Sequence, residues 1–286
     1  MSGLDSKRFK DGERQNWDRV AHGWQKWSTT IEIGAEKVTS RLIELADIKI
    51  GSKVLDIATG IGEPAITVAS RVGSNGQVLA TDISTEMLSI AKQRAANLGL
   101  QHVIEFKQGD AETIELPGST FDAVLCRWGL MLLPNLTTGL SNIYRSLVDG
   151  GRLSAAVWAS PEKDSLIAST MDSVLKETNS PQPPPGTPGP FSLSDENILR
   201  NSFINSAFKD VAIERMNVTL DFGSSEAYAN FVHETAGPLQ TMLAKQTQER
   251  RQEILESIAE SARKYADNNT GTVKLSNEAI CIVGRK

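Results

Sequence analysis

Short apolar runs alternate with amphipathic stretches through the middle of the chain. The helical stretch Thr85–Leu98 is typical, because Ser84 can cap its start and Gly99 ends it. Strands that alternate with single helices predict a mainly parallel sheet with helices on both faces. The runs that predict strands are 53–57 (KVLDI), 77–81 (QVLAT), 103–107, 121–126 (FDAVLC) and 152–158 (RLSAAVW).

A helical pattern precedes the predicted sheet. Residues 1–16 are polar and predict a frayed tail. Apolar residues then recur at three- and four-residue spacing through Trp17, Trp24 and Trp27, which predicts a helix, and a second helix is predicted over about 36–46. We therefore expect residues 1–48 to form a tail and a helical cover.

The pattern changes after residue 160. Residues 49–223 and 271–286 are predicted to form one α/β domain, and 224–270 a helical insertion between two of its strands. Because ligands of such sheets bind at the carboxyl ends of the strands, we expect the insertion to cover that edge as a lid. The later elements are predicted as helices at 164–176, 195–207, 225–236 and 239–266, and as strands at 211–222 and 273–283.

Proline is concentrated in residues 181–190, where six of the ten positions (PQPPPGTPGP) are proline. Such a segment can be a polyproline ligand for a partner protein or a stiff surface loop. The sequence favours the loop.

Composition narrows the class of protein. Of the 286 residues, 40% are hydrophobic and 23% are charged, which is ordinary for a globular chain and excludes a wholly disordered one. The net charge of −5 gives no global basic field for nucleic acid, and no apolar run is long enough for stable membrane insertion. The polar N-terminus also lacks the apolar core of a secretory signal.

Cysteine and histidine are scarce. Cys126 and Cys281 each lie in an apolar run, and the three histidines show no metal-ligand spacing with them, so we expect no metal site. Two buried free cysteines suit a reducing compartment, and we expect the protein in the cytoplasm.

A glycine-rich turn lies between the first predicted strand and the next helix. It has the sequence Asp56-Ile-Ala-Thr-Gly60-Ile-Gly62-Glu-Pro-Ala65. Glycine permits a tight turn and the close approach of a ligand, and the helix that follows offers free N–H groups. Gly60-x-Gly62-x-x-Ala65 satisfies the dinucleotide fingerprint, with Asp82 placed 20 residues after Gly62.

Acidic residues favour a different ligand. S-adenosylmethionine carries an ammonium group, a ribose diol and an adenine amine, all of which donate hydrogen bonds. Asp56 ends the first predicted strand, Asp82 ends the second and Asp110 follows the third, so all three supply acceptors at the ligand-binding edge. A carboxylate before the glycine loop would repel a pyrophosphate. The three acids therefore favour S-adenosylmethionine over a dinucleotide.

Six segments share a pattern with a known family: Asp56–Glu63, Asp82–Met87, Gly109–Glu112, Phe121-Asp122, Trp128–Leu130 and Asp149–Arg152. Over about residues 50–160 the chain resembles the class I S-adenosylmethionine-dependent methyltransferases. Within them it is similar to the ubiquinone/menaquinone-biosynthesis C-methyltransferase group. The resemblance implies a seven-stranded Rossmann-like sheet, mostly parallel with an antiparallel last strand, and helices on both faces.

The resemblance also implies roles for individual residues. Ala58 stands where the common pattern has its first glycine, and the insertion at 224–270 is foreign to the quinone enzymes. The implied cofactor contacts are Ala58, Gly60 and Gly62 for the methionine part, Asp82 for the ribose, Ile83 and Met87 for the adenine faces, Asp110 and Ala111 for the adenine edge, and Cys126 and Arg127 beside the sulfonium.

Candidate catalytic and acceptor-binding residues are few. His22 and His233 are candidate general bases, which are needed only if the nucleophile is protonated. Arg127 is a candidate for holding an anionic group of the acceptor, or for a salt bridge with an N-terminal acid. The aromatic residues expected to line an acceptor pocket are Trp24, Trp27, Trp128, Tyr228 and Phe231.

The sequence therefore predicts an enzyme that uses S-adenosyl-L-methionine to methylate a small, partly apolar organic acceptor by direct displacement. Two alternatives stay open. One is a catalytically silent cofactor-binding or assembly protein on the same fold. The other is an NAD(P)-dependent oxidoreductase, although none of Tyr144, Tyr228 and Tyr265 has a lysine four residues later. The methylated atom and the oligomeric state are not predicted.

Overall fold

A seven-stranded sheet forms the centre of the described part of the chain. The computed structural model describes residues 5–163, 165–178 and 186–286. The strands are β1 Lys53–Ile57, β2 Gln77–Asp82, β3 Ile104–Gln108, β4 Phe121–Arg127, β5 Leu147–Trp158, β6 Lys209–Phe222 and β7 Val273–Arg285. Their order is β3-β2-β1-β4-β5-β7-β6, with β1 to β5 parallel and β7 antiparallel between β5 and β6. The predicted fold class is confirmed.

Helices cover both faces of this sheet. Within the described residues they are α1 Ser6–Lys26, α2 Ser28–Leu45, α3 Ala65–Val72, α4 Thr85–Asn97, α5 Leu136–Ser146, α6 Ser165–Thr178, α7 Glu196–Asn205, α8 Ser225–Thr235, α9 Gly237–Leu243 and α10 Gln248–Arg263. The start of α4 shows the predicted cap, because the Ser84 hydroxyl accepts the backbone N–H of Met87 at 3.0 Å. Short 3₁₀ turns at Leu130–Leu132 and Pro161–Lys163 complete the set.

The central strand β1 explains where the core lies. Val54, Leu55 and Ile57 are buried between the helix layers, as both faces of a parallel sheet require. Asp56 is the one polar member of this buried run, and it stands at the carboxyl end of the strand. A charged group at that position marks the edge of the sheet where ligands bind.

The N-terminal segment differs from the expectation. The predicted frayed tail over residues 1–16 is wrong from Ser6 onwards, because α1 begins there and continues to Lys26. Asp5 starts it, since its side chain accepts the backbone N–H groups of Lys7 and Arg8, both at 3.1 Å. α1 then packs against α4, α8 and α9, so tertiary contacts hold a segment whose polarity suggested a tail.

The insertion between β6 and β7 has its own hydrophobic cluster. Phe222, Tyr228, Phe231, Ile258 and Leu275 are among its buried residues. The single helix predicted over 239–266 is two helices, α9 and α10, with a break at 244–247. The Thr247 hydroxyl accepts the backbone N–H of Arg250 at 3.2 Å and so starts the second helix.

The proline-rich segment is only partly described. Residues 181–185 lie outside the described residues. At its end, the N–H of Gly189 and the hydroxyl of Ser192 both donate to the carbonyl oxygen of Met131, at 3.0 and 2.6 Å. This end of the segment is thus attached to the turn after β4.

Among the helices of the described residues, none is both long enough and apolar enough to cross a membrane.

Candidate active site

A cavity of about 630 Å³ lies at the carboxyl ends of β1, β2 and β4. Helices α1 and α2 cover one side of it, and α6, α8 and α9 cover the other. Most of its lining is apolar. The sequence-predicted residues that line it are Trp24, Ala58, Gly60, Asp82, Ile83, Met87, Asp110, Ala111, Arg127, Trp128 and Phe231.

The glycine loop after β1 brings backbone into contact with this cavity. Ala58 and Gly60 both line it, with φ angles of 56° and 57°. At Gly60 an added Cβ would meet no atom within 4 Å, so the loop leaves open space there for a ligand. Gly62 differs, because a Cβ there would come within 2.8 Å of the Ile66 side chain. Its role is close packing of the loop on α3 rather than contact with the cavity.

Asp56 lies beneath the loop and not on the cavity surface. Its Oδ2 accepts the backbone N–H of Ala65 at 3.0 Å, while its Oδ1 has no hydrogen-bond partner among the described residues. Burial raises the pKa of Asp56 to about 7. Asp56 therefore holds the start of α3 against the sheet. The expected direct contact of Asp56 with the cofactor stays a prediction.

Asp82 connects the end of β2 to the glycine loop. Its Oδ2 accepts the N–H of Gly60 at 2.8 Å, and its Oδ1 accepts the N–H of Ser84 at 2.9 Å. Burial raises the pKa of Asp82 to about 6, although both backbone hydrogen bonds favour the ionised form. Ile83 and the buried Met87 line the cavity beside it and offer the apolar surface expected for adenine.

Asp110 has a partner that the sequence did not suggest. Its Oδ2 accepts a hydrogen bond from Nζ of Lys10 in α1 at 2.8 Å, and the same ammonium also bridges to Glu112. Burial alone would lower the pKa of Lys10, but the two carboxylates raise it. Lys10 precedes Trp17 by seven residues, and Trp17 precedes Trp24 by seven. That spacing puts all three on one helix face, but it does not identify the partner of Lys10.

Arg127 ends β4 and is half-buried there. Its Nη1 donates to the Thr39 hydroxyl at 2.6 Å, and its Nη2 reaches the carbonyl oxygen of Glu63 at 3.4 Å. The alternative predicted for Arg127, a salt bridge to an N-terminal acid, is not among the ion pairs of the described residues. The Thr39 hydroxyl of α2 is the hydrogen-bond partner instead. Burial lowers the pKa of Arg127, because it penalises the charged form.

Two neighbours of Arg127 take different positions. Cys126 is fully buried and does not line the cavity, and burial raises the pKa of its thiol to about 12. The side chain packs inside the sheet layer, and the expected contact with the sulfonium stays a prediction. Trp128 does line the cavity, with φ 64° and its ring stacked on Trp158 at 4.3 Å.

The aromatic residues of the cover divide into two groups. Trp24 and Phe231 line the cavity, and the indole N–H of Trp24 donates to the carbonyl oxygen of Thr235 at 3.1 Å. Trp27 and Tyr228 do not line it. Trp27 packs edge-on against Phe231 at 5.6 Å, and Tyr228 is fully buried with its hydroxyl 2.7 Å from that of Thr170. Both side chains pack among the helices over the cavity, and their expected acceptor contacts stay predictions.

Neither candidate histidine borders the cavity. His22 is exposed on α1, and His233 is half-buried on α8. The helix faces explain this, because Trp24, Val20 and Trp17 occupy the inward face of α1. The sequence missed the acids that do line the cavity, Glu13, Glu32 and Glu63. They lie in polar helix stretches and in the loop, where nothing in the sequence separates them from surface acids.

Metal ligands are not assembled at this site. Within the described residues, no group of three His, Cys, Asp or Glu side chains could hold a metal ion.

The sheet order, the antiparallel β7, the glycine loop and the acid that ends β2 together define a class I methyltransferase fold. The model of the ubiE/COQ5 methyltransferase family matches residues 13–170, and the chain belongs to that family.

Curated relatives carry the same family name. The ubiquinone/menaquinone biosynthesis C-methyltransferase UbiE of Marinomonas sp. (strain MWYL1) is 35% identical over 124 residues, which are 43% of this chain and 49% of the relative. The chain spans about half the length of the curated relatives it matches.

Solved structures extend the similarity of the fold. The YcgJ protein of Bacillus subtilis has a TM-score of 0.57 and 19% identity, covering 88% of this chain and 98% of that chain. Phosphoethanolamine N-methyltransferase 2 of Haemonchus contortus, solved with phosphomonomethylethanolamine and S-adenosylhomocysteine, has a TM-score of 0.57 and 18% identity, covering 97% and 60%. At these identities the comparison shows the fold.

Proposed function

We propose that the protein transfers a methyl group from S-adenosyl-L-methionine to a small, partly apolar organic acceptor. The observation that carries the proposal is the position of Asp82, which lines the cavity while its carboxylate accepts the N–H of Gly60 at 2.8 Å. Its remaining lone pairs can accept both hydroxyls of a ribose beside the glycine loop. Membership of the ubiE/COQ5 methyltransferase family supports the same donor.

The residues around Asp82 fit this cofactor. The open space at Gly60 admits a ligand close to the backbone, and Ile83 and Met87 offer an apolar surface for adenine. Asp110 lies on the same lining and can accept from the adenine amine with the oxygen that does not bind Lys10. All these contacts suit a ligand that presents hydrogen-bond donors and no phosphate.

The protein itself takes little part in the covalent chemistry of this reaction. Bound S-adenosylmethionine supplies a methyl group on a sulfonium sulfur. The acceptor's nucleophilic atom forms a bond to the methyl carbon while the carbon–sulfur bond breaks, and the bonding pair stays on sulfur. If the nucleophile begins protonated, its proton leaves to a base or to water. The protein's part is to hold nucleophile and methyl carbon in line and to exclude water.

Carboxylates are the candidate bases on the cavity surface. Burial raises the pKa of Glu13 and of Glu63, so either can take a proton more readily than an exposed glutamate. Glu63 also accepts the Thr67 hydroxyl at 2.7 Å, which fixes its orientation. Glu32 is paired with Arg94 and is a weaker candidate.

Turnover tests the proposal. Purified protein is incubated with S-adenosylmethionine and a panel of small apolar phenols, amines and carboxylic acids, and release of S-adenosylhomocysteine is followed. We expect release that depends on at least one acceptor and is lost in Asp82→Ala. Binding of S-adenosylhomocysteine without turnover on any acceptor would favour the silent assembly protein. Binding of NADH in its place would favour the oxidoreductase.

A further inference from the structure

Arg127 is a half-buried cation on the surface of the cavity. Its hydrogen-bond partners are neutral: the Thr39 hydroxyl at 2.6 Å and the Glu63 carbonyl oxygen at 3.4 Å. In the part of the chain that the structure describes, no carboxylate lies within ion-pair distance of this guanidinium. Glu63 and Asp56 act on it only from farther away.

This arrangement leaves the charge incompletely compensated. Burying a cation costs free energy unless an anion and hydrogen bonds offset the lost hydration. The carboxyl groups of Glu63, Asp56 and Glu32 favour the charged guanidinium from a distance, but none of them gives it a direct ion pair. An anionic ligand in the cavity would supply the missing charge, and a guanidinium can bind a carboxylate through two parallel hydrogen bonds.

The orientation of the guanidinium is fixed by an aromatic wall. The Arg127 guanidinium carbon lies 4.9 Å from the centre of the Trp128 ring, and Trp128 stacks on Trp158 at 4.3 Å with 15° between the planes. Both rings line the cavity. The faces of the Trp128 ring are taken by Arg127 and Trp158, so an apolar ligand body can contact the cavity-facing edges of the two indoles while its charged end meets the arginine.

Helices α6, α8 and α9, together with β6, offer a matching apolar surface. Leu166 of α6, Leu220 of β6, Phe231 of α8 and Leu239 of α9 all line the cavity and are buried. An acceptor that consisted only of charged or polar groups would lose its hydration against these side chains. A molecule with an apolar body and one anionic group would satisfy both regions.

We propose that the methyl acceptor is a flat apolar molecule with one anionic oxygen group, which Arg127 holds while the body lies between the Trp128–Trp158 wall and the helical cover. This inference rests on the proposed function. The carboxylate in the methionine part of the cofactor has the same chemistry as such a group. We assign Arg127 to the acceptor because Trp128 and Trp158 continue the surface on which the arginine lies.

The test uses a pair of probes that differ in charge but hardly in shape. The affinities of 2-naphthoate and 2-naphthamide are measured by calorimetry with S-adenosylhomocysteine at saturation. We expect 2-naphthoate to bind at least tenfold more tightly to the unaltered protein. In Arg127→Gln this preference falls to less than twofold, while the affinity for S-adenosylhomocysteine stays within twofold. Arg41→Gln is the matched control, because Arg41 lies on α2 and pairs with Glu214 away from the cavity.

Three results would overturn the inference. They are equal affinities of the two probes for the unaltered protein, a charge preference that survives in Arg127→Gln, and a selective loss of S-adenosylhomocysteine affinity in that variant. If Arg127→Gln selectively loses affinity for S-adenosylhomocysteine, Arg127 binds the amino-acid part of the cofactor. The variant would then keep its affinity for 5′-methylthioadenosine, which lacks that part. If S-adenosylhomocysteine fails to bind the unaltered protein, the proposed function itself is wrong.

A second variant covers the case in which Arg127→Gln does not fold. Thr39→Val keeps the cation but removes the hydroxyl that receives its hydrogen bond at 2.6 Å. We expect a loosened guanidinium and a threefold to tenfold loss of 2-naphthoate affinity, with 2-naphthamide unchanged. Equal loss of affinity for both probes would contradict the inference.

Discussion

The carboxylate of Asp82 accepts the backbone N–H of Gly60 at 2.8 Å, so one side chain joins the end of β2 to the glycine loop at the surface of the cavity. The sheet brings the two together because β1 and β2 pair in parallel register up to Ile57 and Thr81. A parallel neighbour thus places an acid from the second strand directly beside the loop that follows the first.

Replacement of Asp82 by alanine should weaken the binding of S-adenosylhomocysteine. The change removes a charged acceptor for the ribose and frees the Gly60 N–H, so we expect a loss of about 1–3 kcal/mol in calorimetry. Asp122→Ala is the control, because Asp122 also accepts a backbone N–H, that of Lys53 at 2.8 Å, but at the opposite end of the sheet. Equal losses in the two variants would refute the ribose assignment.

Substitution of Gly60 by alanine should separate backbone strain from ligand contact. Both Gly60 and Gly73 have positive φ, 57° and 69°, and at both an added Cβ meets no atom within 4 Å. Each alanine variant should lose about 1 kcal/mol of unfolding free energy, measured by urea denaturation. Only Gly60→Ala should also weaken S-adenosylhomocysteine binding, since only Gly60 lines the cavity. Unchanged affinity would show that the ligand does not approach this backbone.

The ion pair between Lys10 and Asp110 should slow the release of the cofactor. It fastens the first turns of α1 beside the residues expected to contact adenine. In Lys10→Met we expect a severalfold faster dissociation of S-adenosylhomocysteine in stopped-flow experiments, and faster hydrogen exchange over residues 6–12. Lys7→Met, which changes an exposed lysine of the same helix, should leave both unchanged. An unaltered dissociation rate in Lys10→Met would show that the ion pair does not restrain the ligand.

Stability should depend on pH through Asp82. Burial raises its pKa to about 6, above the ordinary value of 3.8, so the folded protein keeps a proton there that the unfolded chain releases between about pH 4 and 6. The stability of the ligand-free protein relative to Asp82→Asn should therefore fall as the pH rises through this range. Urea denaturation of both proteins at pH 4.5, 6 and 7.5 measures the difference. A difference that stays constant or rises would contradict the raised pKa.

Cofactor affinity should change with pH in the opposite direction. Ribose hydroxyls donate to the ionised carboxylate of Asp82, and ionisation is complete only above its pKa of about 6. We expect the affinity for S-adenosylhomocysteine to rise between pH 5 and 7.5, and this rise to be reduced in Asp82→Asn. Titrations at fixed ionic strength would detect it, and a flat profile would contradict the assignment.

The histidines should be dispensable for turnover. His22 is exposed, and His233 does not line the cavity. We expect His22→Ala and His233→Ala to keep the rate of S-adenosylhomocysteine release within twofold of the unaltered protein. A tenfold loss in either variant, with the fold intact by circular dichroism, would restore that histidine as a base.

The sequence was sufficient for the sheet and for the position of Asp82 beside the glycine loop. The strand runs are short, strongly apolar and separated by clear turn residues, so the register of β1 and β2 follows almost directly. Asp82 and Gly60 could be placed together because both stand at a strand end, and strand ends of a parallel sheet share one edge. Parallel pairing thus allows the position of a residue in space to be predicted from its position at the end of a strand.

The cover could not be predicted in the same way. Trp24 and Trp27 fall three residues apart on a helix, yet only Trp24 faces the cavity, because the helix orientation is set by contacts with α4 and α8. Tyr228 also lies in an apolar sequence pattern, but its side chain is buried in the hydrophobic cluster of the insertion between β6 and β7. The Lys10 contact spans 100 residues of sequence, and periodicity carries no information about such pairs.

The most direct test of the account is a calorimetric titration of the unaltered protein with S-adenosylhomocysteine and, separately, with NADH. The account predicts binding of S-adenosylhomocysteine with one site per chain, weakened in Asp82→Ala, and no heat with NADH. Binding of NADH alone, or S-adenosylhomocysteine binding that Asp82→Ala leaves unchanged, would contradict it.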